Sequence, residues 1–457
     1  MDRGVRLLAA VLVLALGPRA TAPRPPEDPV ARELRLVKPA LVRIESHANA
    51  TVSVATIDFD QTALEAFARR DVARLLAAGQ RYPSIAAADQ VLTSDLEHEF
   101  VANPAPYLKL GARVTDPYDT ARVGSGWLAD GNGTVVTAAD VLLDEPAVTA
   151  AATEQERQII GAALDDVTPA DLGLTVPFSD TQKANLVSAA LARVVPSIQV
   201  SGVTTQTTVQ LGSAIPGQRS GDQVRADARI AVSHRNPHGT GVAVVQVQGR
   251  QLASIPLAFG STLTPGTPVV VAGYPAAEAA SGGPPSGPPV SPEATGGSVG
   301  DAVPEGGAFT DAGYTAGVIG GPALDTNGNV VGVAVKRDGA SAVVPIGDVA
   351  HALDEAHVTA RTNKVTSDYR KAAADISRHW YKRALPILES LSRRSPELPW
   401  ISEQTQEAAQ AIALGNDESP SNRPFFPAAV AAVLFAVDAV AVTTVLRRRV
   451  IRRSGGG

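Results

Sequence analysis

Apolar runs of strand length recur along this chain and predict a mainly β fold. The runs are rich in β-branched valine, are separated by turn residues, and lie at residues 40–44, 134–138, 198–211, 224–232, 241–247, 268–275, 330–335 and 342–346. Asn327-Gly328 suits a tight hairpin turn, because both central residues of that turn type need positive φ. Residues 276–307, rich in Gly, Pro and Ser, are predicted to form a long mobile loop. Many short strands joined by turns favour a barrel or a sandwich.

Helical spacing interrupts this pattern and predicts helical insertions near residues 60–100 and 153–195. Leu64, Phe67 and Leu75 lie on one face of a predicted amphipathic helix over 60–79, and a short helix is predicted near 94–100. Thr153 with Glu156 and Ser179 with Gln182 have the spacing of capping boxes. These pairs predict the starts of two helices in the second insertion.

The segment 355–415 is predicted to be a helical hairpin, with helices over 365–391 and 400–414. The spacing of Ala384, Leu388, Leu391 and Pro396 resembles the second helix and the terminal proline of a tetratricopeptide repeat. A plain helical stalk is the competing interpretation, since one repeat has no neighbours against which to bury its faces.

The N-terminus has the order of features that is typical of a signal peptide. Arg3 and Arg6 precede an apolar run over 7–16, and the small residues Ala20-Thr21-Ala22 follow. We therefore expect residues 1–22 to be a signal peptide and the protein to be exported.

The other end of the chain predicts one transmembrane helix over 425–446, because the apolar run there is long enough to span a bilayer. Arginines are clustered in the tail 447–457, which places that tail in the cytoplasm and the body outside the membrane. Asp438 lies within the span and is costly in lipid. It either pairs with a transmembrane partner or snorkels in a monomer, and the sequence leaves both alternatives open.

Composition excludes several classes of function. The chain has 457 residues, 44% of them hydrophobic and 19% charged, which indicates a largely ordered globular protein. Its net charge of -6 is not that of a nucleic-acid-binding protein, which usually carries an excess of basic residues. The absence of cysteine excludes disulfides and a cysteine nucleophile, and the seven histidines show no HExxH or other ligand spacing. No metal and no cofactor are therefore expected.

Four segments in order resemble the trypsin-like serine proteases of the HtrA type, and we expect a bacterial protein, because alanine is abundant and lysine is rare beside arginine. The four segments are residues 124–142, 241–247, 264–275 and 311–335. The resemblance covers roughly residues 36–350 and implies a chymotrypsin-like double β-barrel domain over 30–354, with the active cleft between the barrels. HtrA-type proteins usually continue into a PDZ domain, and no such pattern follows here.

The catalytic residues of that family do not carry over. The resemblance places Asp140 at the histidine position, Gly241 at the aspartate position and Ile319 at the serine position. Acyl transfer needs a nucleophile, a base and a group that orients the base. Ile319 has no nucleophilic atom and Gly241 has no side chain, whereas Asp140 is a weak base with an unperturbed pKa of about 4.

The glycine-rich frame of the nucleophile loop is retained. The residues that we expect to line a ligand-binding cleft are Gly317, Val318, Gly320 and Gly321. In an active relative the backbone N–H groups of this loop form the oxyanion hole. The predicted function is that of an exported, membrane-anchored pseudoprotease that binds a peptide or protein outside the membrane without cleaving it.

Two alternatives stay open at this point. One is an active trypsin-like serine endopeptidase with relocated catalytic groups, for which Ser125, Ser298, His98, His234 and His238 are the available side chains. The other is a purely structural envelope protein, which would bind no peptide.

Overall fold

The described part of the chain leaves out both termini. The computed structural model describes residues 27–172, 174–211, 224–234, 241–249, 252–275, 291–303, 306–394 and 399–420. The predicted signal peptide, the predicted transmembrane helix with Asp438, the basic tail and His238 lie outside these ranges. Within them, no helix combines the length and the apolar character needed to cross a bilayer.

Six antiparallel strands close a first barrel. They are β1 (Leu41–Phe59), β2 (Leu108–Leu128), β3 (Thr134–Ala138), β4 (Gln199–Leu211), β5 (Val224–Ser233) and β6 (Val242–Gln246), and their order around the barrel is β1-β2-β3-β6-β5-β4. Every residue of β3 is buried, and β6 pairs with it from Val242 to Gln246. The valine-rich runs therefore form strands whose side chains are covered on both sides.

Six more strands close a second barrel. They are β7 (Pro268–Gly273), β8 (Glu293–Ala302), β9 (Ala308–Thr310), β10 (Pro322–Leu324), β11 (Val330–Arg337) and β12 (Ala340–Pro345), in the order β10-β11-β12-β9-β8-β7. The chymotrypsin-like double barrel predicted from the resemblance is thus present. Strand β8 falls within the stretch predicted to be a loop, because backbone pairing with β7 stabilises a strand whose Gly-rich sequence carries no strand signal.

The predicted tight turn at Asn327-Gly328 is wider than expected. Gly328 has φ of 68°, but Asn327 does not take a positive φ. Asp325 organises the turn instead: its Oδ1 accepts hydrogen bonds from the N–H groups of Asn327 at 2.8 Å and Asn329 at 2.9 Å. The prediction of a two-residue turn was wrong, because an aspartate side chain that accepts hydrogen bonds from the backbone that follows it favours a longer turn.

Four helices cover the end of the first barrel, and they lie in the two helical insertions predicted from the sequence. They are α2 (Gln61–Ala77), α3 (Ile85–Ala102), α4 (Glu145–Asp165) and α5 (Asp180–Val194), and they follow α1 (Pro29–Val37) in the chain. The capping box of Ser179 with Gln182 is present. Thr153 caps nothing, because α4 begins eight residues earlier at Glu145, where Asp144 is the N-cap, and Thr153 bonds back to Thr149 within the helix.

The C-terminal segment has three helices after α6 (Ile346–Glu355) rather than the two of the predicted hairpin. They are α7 (Lys364–Ser377), α8 (Tyr381–Arg394) and α9 (Pro399–Ala413). The chain turns between α7 and α8 at His379, which has φ of 59°. Tyr369 and Leu388 belong to the same hydrophobic cluster as Ile44 of β1. The helices therefore pack against the barrels and do not stand apart from them.

Candidate functional site between the barrels

The loop that resembles a nucleophile loop is closed by its own backbone hydrogen bonds. Residues Ala316–Val318 form a single 3₁₀ turn. The N–H of Val318 donates to the carbonyl of Thr315 at 3.0 Å, and the N–H of Ile319 donates to that of Ala316 at 3.1 Å. These two N–H groups therefore point back into the loop and are not presented to a ligand.

Ser125 of β2 fastens this loop to the first barrel. Its N–H donates to the carbonyl of Ile319 at 2.8 Å, and its hydroxyl donates to the carbonyl of Gly317 at 2.7 Å. The same hydroxyl accepts the N–H of Tyr274 at 2.7 Å, and Ser125 is 0% exposed. Ser125 is thus a fully bonded contact between strands and loop, and its hydroxyl is not accessible to a substrate.

Gly320 sits where the two barrels touch. Its φ is 87°, and a Cβ at this position would lie 2.2 Å from Oγ1 of Thr137 and 2.3 Å from the carbonyl oxygen of Ser125. Only glycine tolerates both the backbone conformation and the close approach. Glycine at this position is thus a packing requirement that holds whether or not a nucleophile is present.

The three positions predicted to replace the triad meet at this junction. The N–H of Ala139 donates to the carbonyl of Gly241 at 2.9 Å, which places Gly241 beside the turn that carries Asp140. A Cβ on Gly124 would lie 2.4 Å from Cγ2 of Val141 and 2.8 Å from the carbonyl oxygen of Ile319. The Asp140 turn and the Ile319 loop therefore flank the same glycine.

The side chains at these positions offer little for acyl transfer. Ile319 is half-buried and packs against the hydrophobic clusters of both barrels. Asp140 is half-buried, and its carbonyl accepts a hydrogen bond from the Arg122 guanidinium at 2.8 Å. Gly241 contributes backbone alone, so nothing there orients a base.

The four residues predicted to line a cleft are buried. Gly317, Val318, Gly320 and Gly321 belong to the packed interior of the second barrel and its contact with the first. The N–H of Gly320 donates to the carbonyl of Ala334 at 2.8 Å, and that of Gly321 to Val318 at 2.9 Å. Ligand binding by these four residues stays a prediction.

The other candidate side chains lie apart from this junction. His98 is exposed on α3. The Ser298 hydroxyl donates to the Asp311 carboxylate at 2.9 Å, and the hydrogen bond from the Ser298 N–H is the main cause that lowers the pKa of Asp311. His234 follows β5 and lies beside His351 and Glu355 of α6. The sequence search for ligand spacing missed the His351-x-x-x-Glu355 pair, which puts two possible ligands on one helix face.

An open cavity of about 480 Å³ lies next to the Asp325 turn of the second barrel. The residues that line it come from α1, this turn and α7, and they are Glu27, Arg32, Glu33, Leu36, Thr326, Asn327, Arg370, Ala374, Ser377 and Arg378. Glu33 is 1% exposed and its Oε2 has no hydrogen-bond partner. Burial raises the pKa of Glu33, and burial also lowers the pKa of Arg370. The cavity therefore combines cations with a buried carboxyl group that has an unused acceptor.

Comparison with known proteins matches one family model and finds solved structures that resemble parts of this chain, two of which follow. Residues 124–333 match the family described as trypsin-like peptidase domain. The crystal structure of the serine endoprotease from Yersinia pestis is 13% identical over 73% of this chain and 68% of that chain, with a TM-score of 0.34. The crystal structure of Deg5 is 20% identical over 50% of this chain and 81% of that chain, with a TM-score of 0.28. A search of curated proteins finds no match.

Proposed function

Because residues 124–333 match the family described as trypsin-like peptidase domain, we propose that this protein is an exported pseudoprotease that binds a peptide or protein without cleaving it. A single C-terminal helix anchors it, with the body outside the membrane and the basic tail in the cytoplasm. The observation that carries the proposal is the closed loop in which Ile319 takes the serine position and its N–H donates to the carbonyl of Ala316 at 3.1 Å.

The chemistry of an active relative requires more than a serine at that position. A histidine must take the proton of the nucleophile, and loop N–H groups must face the developing oxyanion. In a trypsin-like site those donors are the N–H groups of the nucleophile residue and of the residue two before it, and here the N–H of Ile319 would have to break its bond to the carbonyl of Ala316 before it could serve. An oxyanion hole and binding without a triad leave about 10³- to 10⁴-fold acceleration over water, which is negligible for a peptide bond.

The cavity beside the Asp325 turn supports the binding half of the proposal. Its size is in the range of small-ligand and peptide side-chain sites, about 300–1,000 Å³. Arg378 is exposed at its wall and Glu33 is buried at it. This pairing suits a partner segment that offers a carboxylate to the arginine and an N–H donor to the unused oxygen of Glu33.

An activity-based probe tests the absence of catalysis. The full chain, with active trypsin as the positive control, is treated with a fluorophosphonate probe and analysed by mass spectrometry. We expect no labelled serine, and the same result for Ile319→Ser, since that variant still lacks a base. Stoichiometric labelling of one serine in the native chain would overturn the proposal in favour of a relocated triad.

Peptide selection tests binding. The full chain in nanodiscs is panned against a displayed peptide library, and enriched peptides are measured by fluorescence anisotropy. Arg378→Ala is expected to weaken their binding about tenfold or more, the effect of one charge-assisted hydrogen bond. Arg393→Ala, on α8 outside the cavity, is the matched control. Failure to enrich any peptide would favour the structural envelope protein.

The topology can be tested because the chain has no cysteine of its own. Leu414, 76% exposed at the end of the described helices, and Gly455 in the basic tail each accept a single cysteine. An impermeant maleimide should label Leu414→Cys in intact cells and Gly455→Cys only after lysis. Labelling of both in intact cells, or of neither, contradicts the proposed orientation.

A further inference from the structure

Three side chains from two distant parts of the chain converge beside the junction of β5 and α6. Nε2 of His234 lies 2.7 Å from Oε2 of Glu355. The ring of His234 stacks on the ring of His351, with centroids 5.7 Å apart and planes inclined by 24°. One nitrogen or oxygen atom from each of the three residues lies within 4.8 Å of the corresponding atoms of the other two.

These atoms are the donors that a zinc ion uses in proteins. Zn²⁺ binds imidazole nitrogen at about 2.0–2.1 Å and carboxylate oxygen at about 2.0–2.2 Å, so two ligands of a tetrahedral ion are about 3.4 Å apart. The distances between the potential ligand atoms differ from that value by about 1 Å, and rotation of these partly exposed side chains can remove the difference. His351 and Glu355 are four residues apart and share one face of α6.

The short contact between His234 and Glu355 also fits ion binding. Nε2 of His234 is buried and makes no hydrogen bond, although Oε2 of Glu355 lies only 2.7 Å away. A divalent cation gives this nitrogen and the carboxylate one shared partner.

We propose that His234, His351 and Glu355 bind one Zn²⁺ ion, with water in the remaining coordination position. Two imidazoles and one carboxylate favour zinc and its transition-metal neighbours over Ca²⁺ and Mg²⁺, which prefer oxygen ligands alone. No thiolate competes for the ion, since the chain has no cysteine.

The position of the site gives the ion a mechanical role. Helix α6 packs against β5 and β6 of the first barrel and against β11 and β12 of the second. His234 directly follows β5 of the first barrel, whereas the other two ligands lie on α6. A bound ion therefore fastens α6 to the first barrel and restrains the two barrels relative to each other. It binds the native state and not the unfolded chain, so it raises the unfolding temperature.

Calorimetric titration tests the site. The full chain is produced without a polyhistidine tag, stripped with a chelator, and titrated with ZnCl₂. We expect one ion per chain, and a loss of affinity of tenfold or more in both His351→Ala and Glu355→Ala. His98→Ala removes an exposed histidine on another helix and should bind as the native protein does.

Two further measurements keep the result interpretable. Circular dichroism of the metal-free variants checks that each is folded, and the zinc-dependent rise in unfolding temperature should appear in the native protein and in His98→Ala alone. Co²⁺ should give visible absorption bands of a low-symmetry nitrogen–oxygen site that Glu355→Ala abolishes. Zinc binding that survives both ligand substitutions, or an absence of stoichiometric binding, overturns the proposal.

Discussion

The first barrel has two strands, β1 and β2, of 19 and 21 residues, whereas β9 and β10 of the second barrel have three residues each. Both barrels close with six strands. The pairing of β1 with β2 runs from Leu41 to Phe59, far past the three residues of β2 that also pair with β3. Because β1 pairs with β4 from Val42 to Ser53 whereas β2 pairs with β3 over three residues, closure uses more of β1 than of β2, and the far ends of both strands extend beyond the closed barrel.

The extension of the first barrel is covered by its own helices. Phe67 of α2, Phe100 of α3 and Leu164 of α4 form a separate hydrophobic cluster there. The second barrel is contacted by α1 and α6 instead, and its loop packs directly on β2 through Ser125 and Gly320. The first barrel thus carries a separate helical layer with its own hydrophobic cluster, whereas the second barrel is held mainly through its junction with the first.

Substitution of Gly320 at the junction of the two barrels is expected to lower the free energy of unfolding most. Gly320→Ala puts a methyl group against the backbone of the other barrel, and we expect a loss of about 4 kcal/mol or more in the free energy of unfolding. Gly339→Ala is the matched control, because Gly339 has a similar φ of 80° with no atom within 4 Å. It should cost about 1 kcal/mol. Equal losses in denaturant titrations of the two variants would show that the junction is not tightly packed.

Substitution of Ser125 has the next largest expected effect on stability, because removal of its hydroxyl leaves two buried backbone groups without hydrogen-bond partners. Ser125→Ala is expected to lower the free energy of unfolding by about 2–4 kcal/mol. Ser298→Ala, whose hydroxyl bonds an exposed carboxylate, should lower it by less than about 1 kcal/mol. A fluorophosphonate signal that disappears in Ser125→Ala, with stability unchanged, would instead identify Ser125 as a nucleophile.

The two barrels share one turn design, and the two aspartates can be compared directly. Oδ1 of Asp130 accepts the N–H groups of Asn132 and Thr134 at 2.9 and 3.0 Å, as Asp325 does in its own turn. Asp130 is buried and Asp325 is half-buried. Asp130→Ala should therefore cost about 2–3 kcal/mol and Asp325→Ala about 1–2 kcal/mol. A larger loss at Asp325, measured by thermal unfolding, would mean that its turn supports the cavity beneath α1 and α7.

The smallest expected effect is the pH dependence contributed by Asp311. Hydrogen bonds from Ser298 lower the pKa of Asp311 in the folded protein. The stability that it contributes is therefore fully present above the unfolded-state pKa, about 3.9, and is lost as the pH falls through the folded-state pKa. The stability difference between the native protein and Asp311→Asn should shrink below about pH 4 and stay constant above about pH 5. A difference that grows as the pH falls would contradict this sign.

Much of the fold is readable from local sequence. Valine-rich runs such as 241–247 became strands because side-chain periodicity and branching are properties of the run itself. The Ser179 capping box formed because its partners lie three residues apart. Strand β8 and the length of β1 were missed, since a partner strand supplies backbone hydrogen bonds that no local pattern records.

The sequence by itself predicted Ile319, Gly241 and Asp140 at the positions of a triad, because motifs around each of them resemble those of the protease family. Only the tertiary structure decided that the Ile319 loop is closed and that the Ser125 hydroxyl is hydrogen-bonded to it, since the contact joins distant segments of the chain. The same holds for His234, which meets His351 and Glu355 only because α6 packs against β5. Side-chain identity is local, whereas the convergence of side chains requires the registered strands and packed helices of the whole chain.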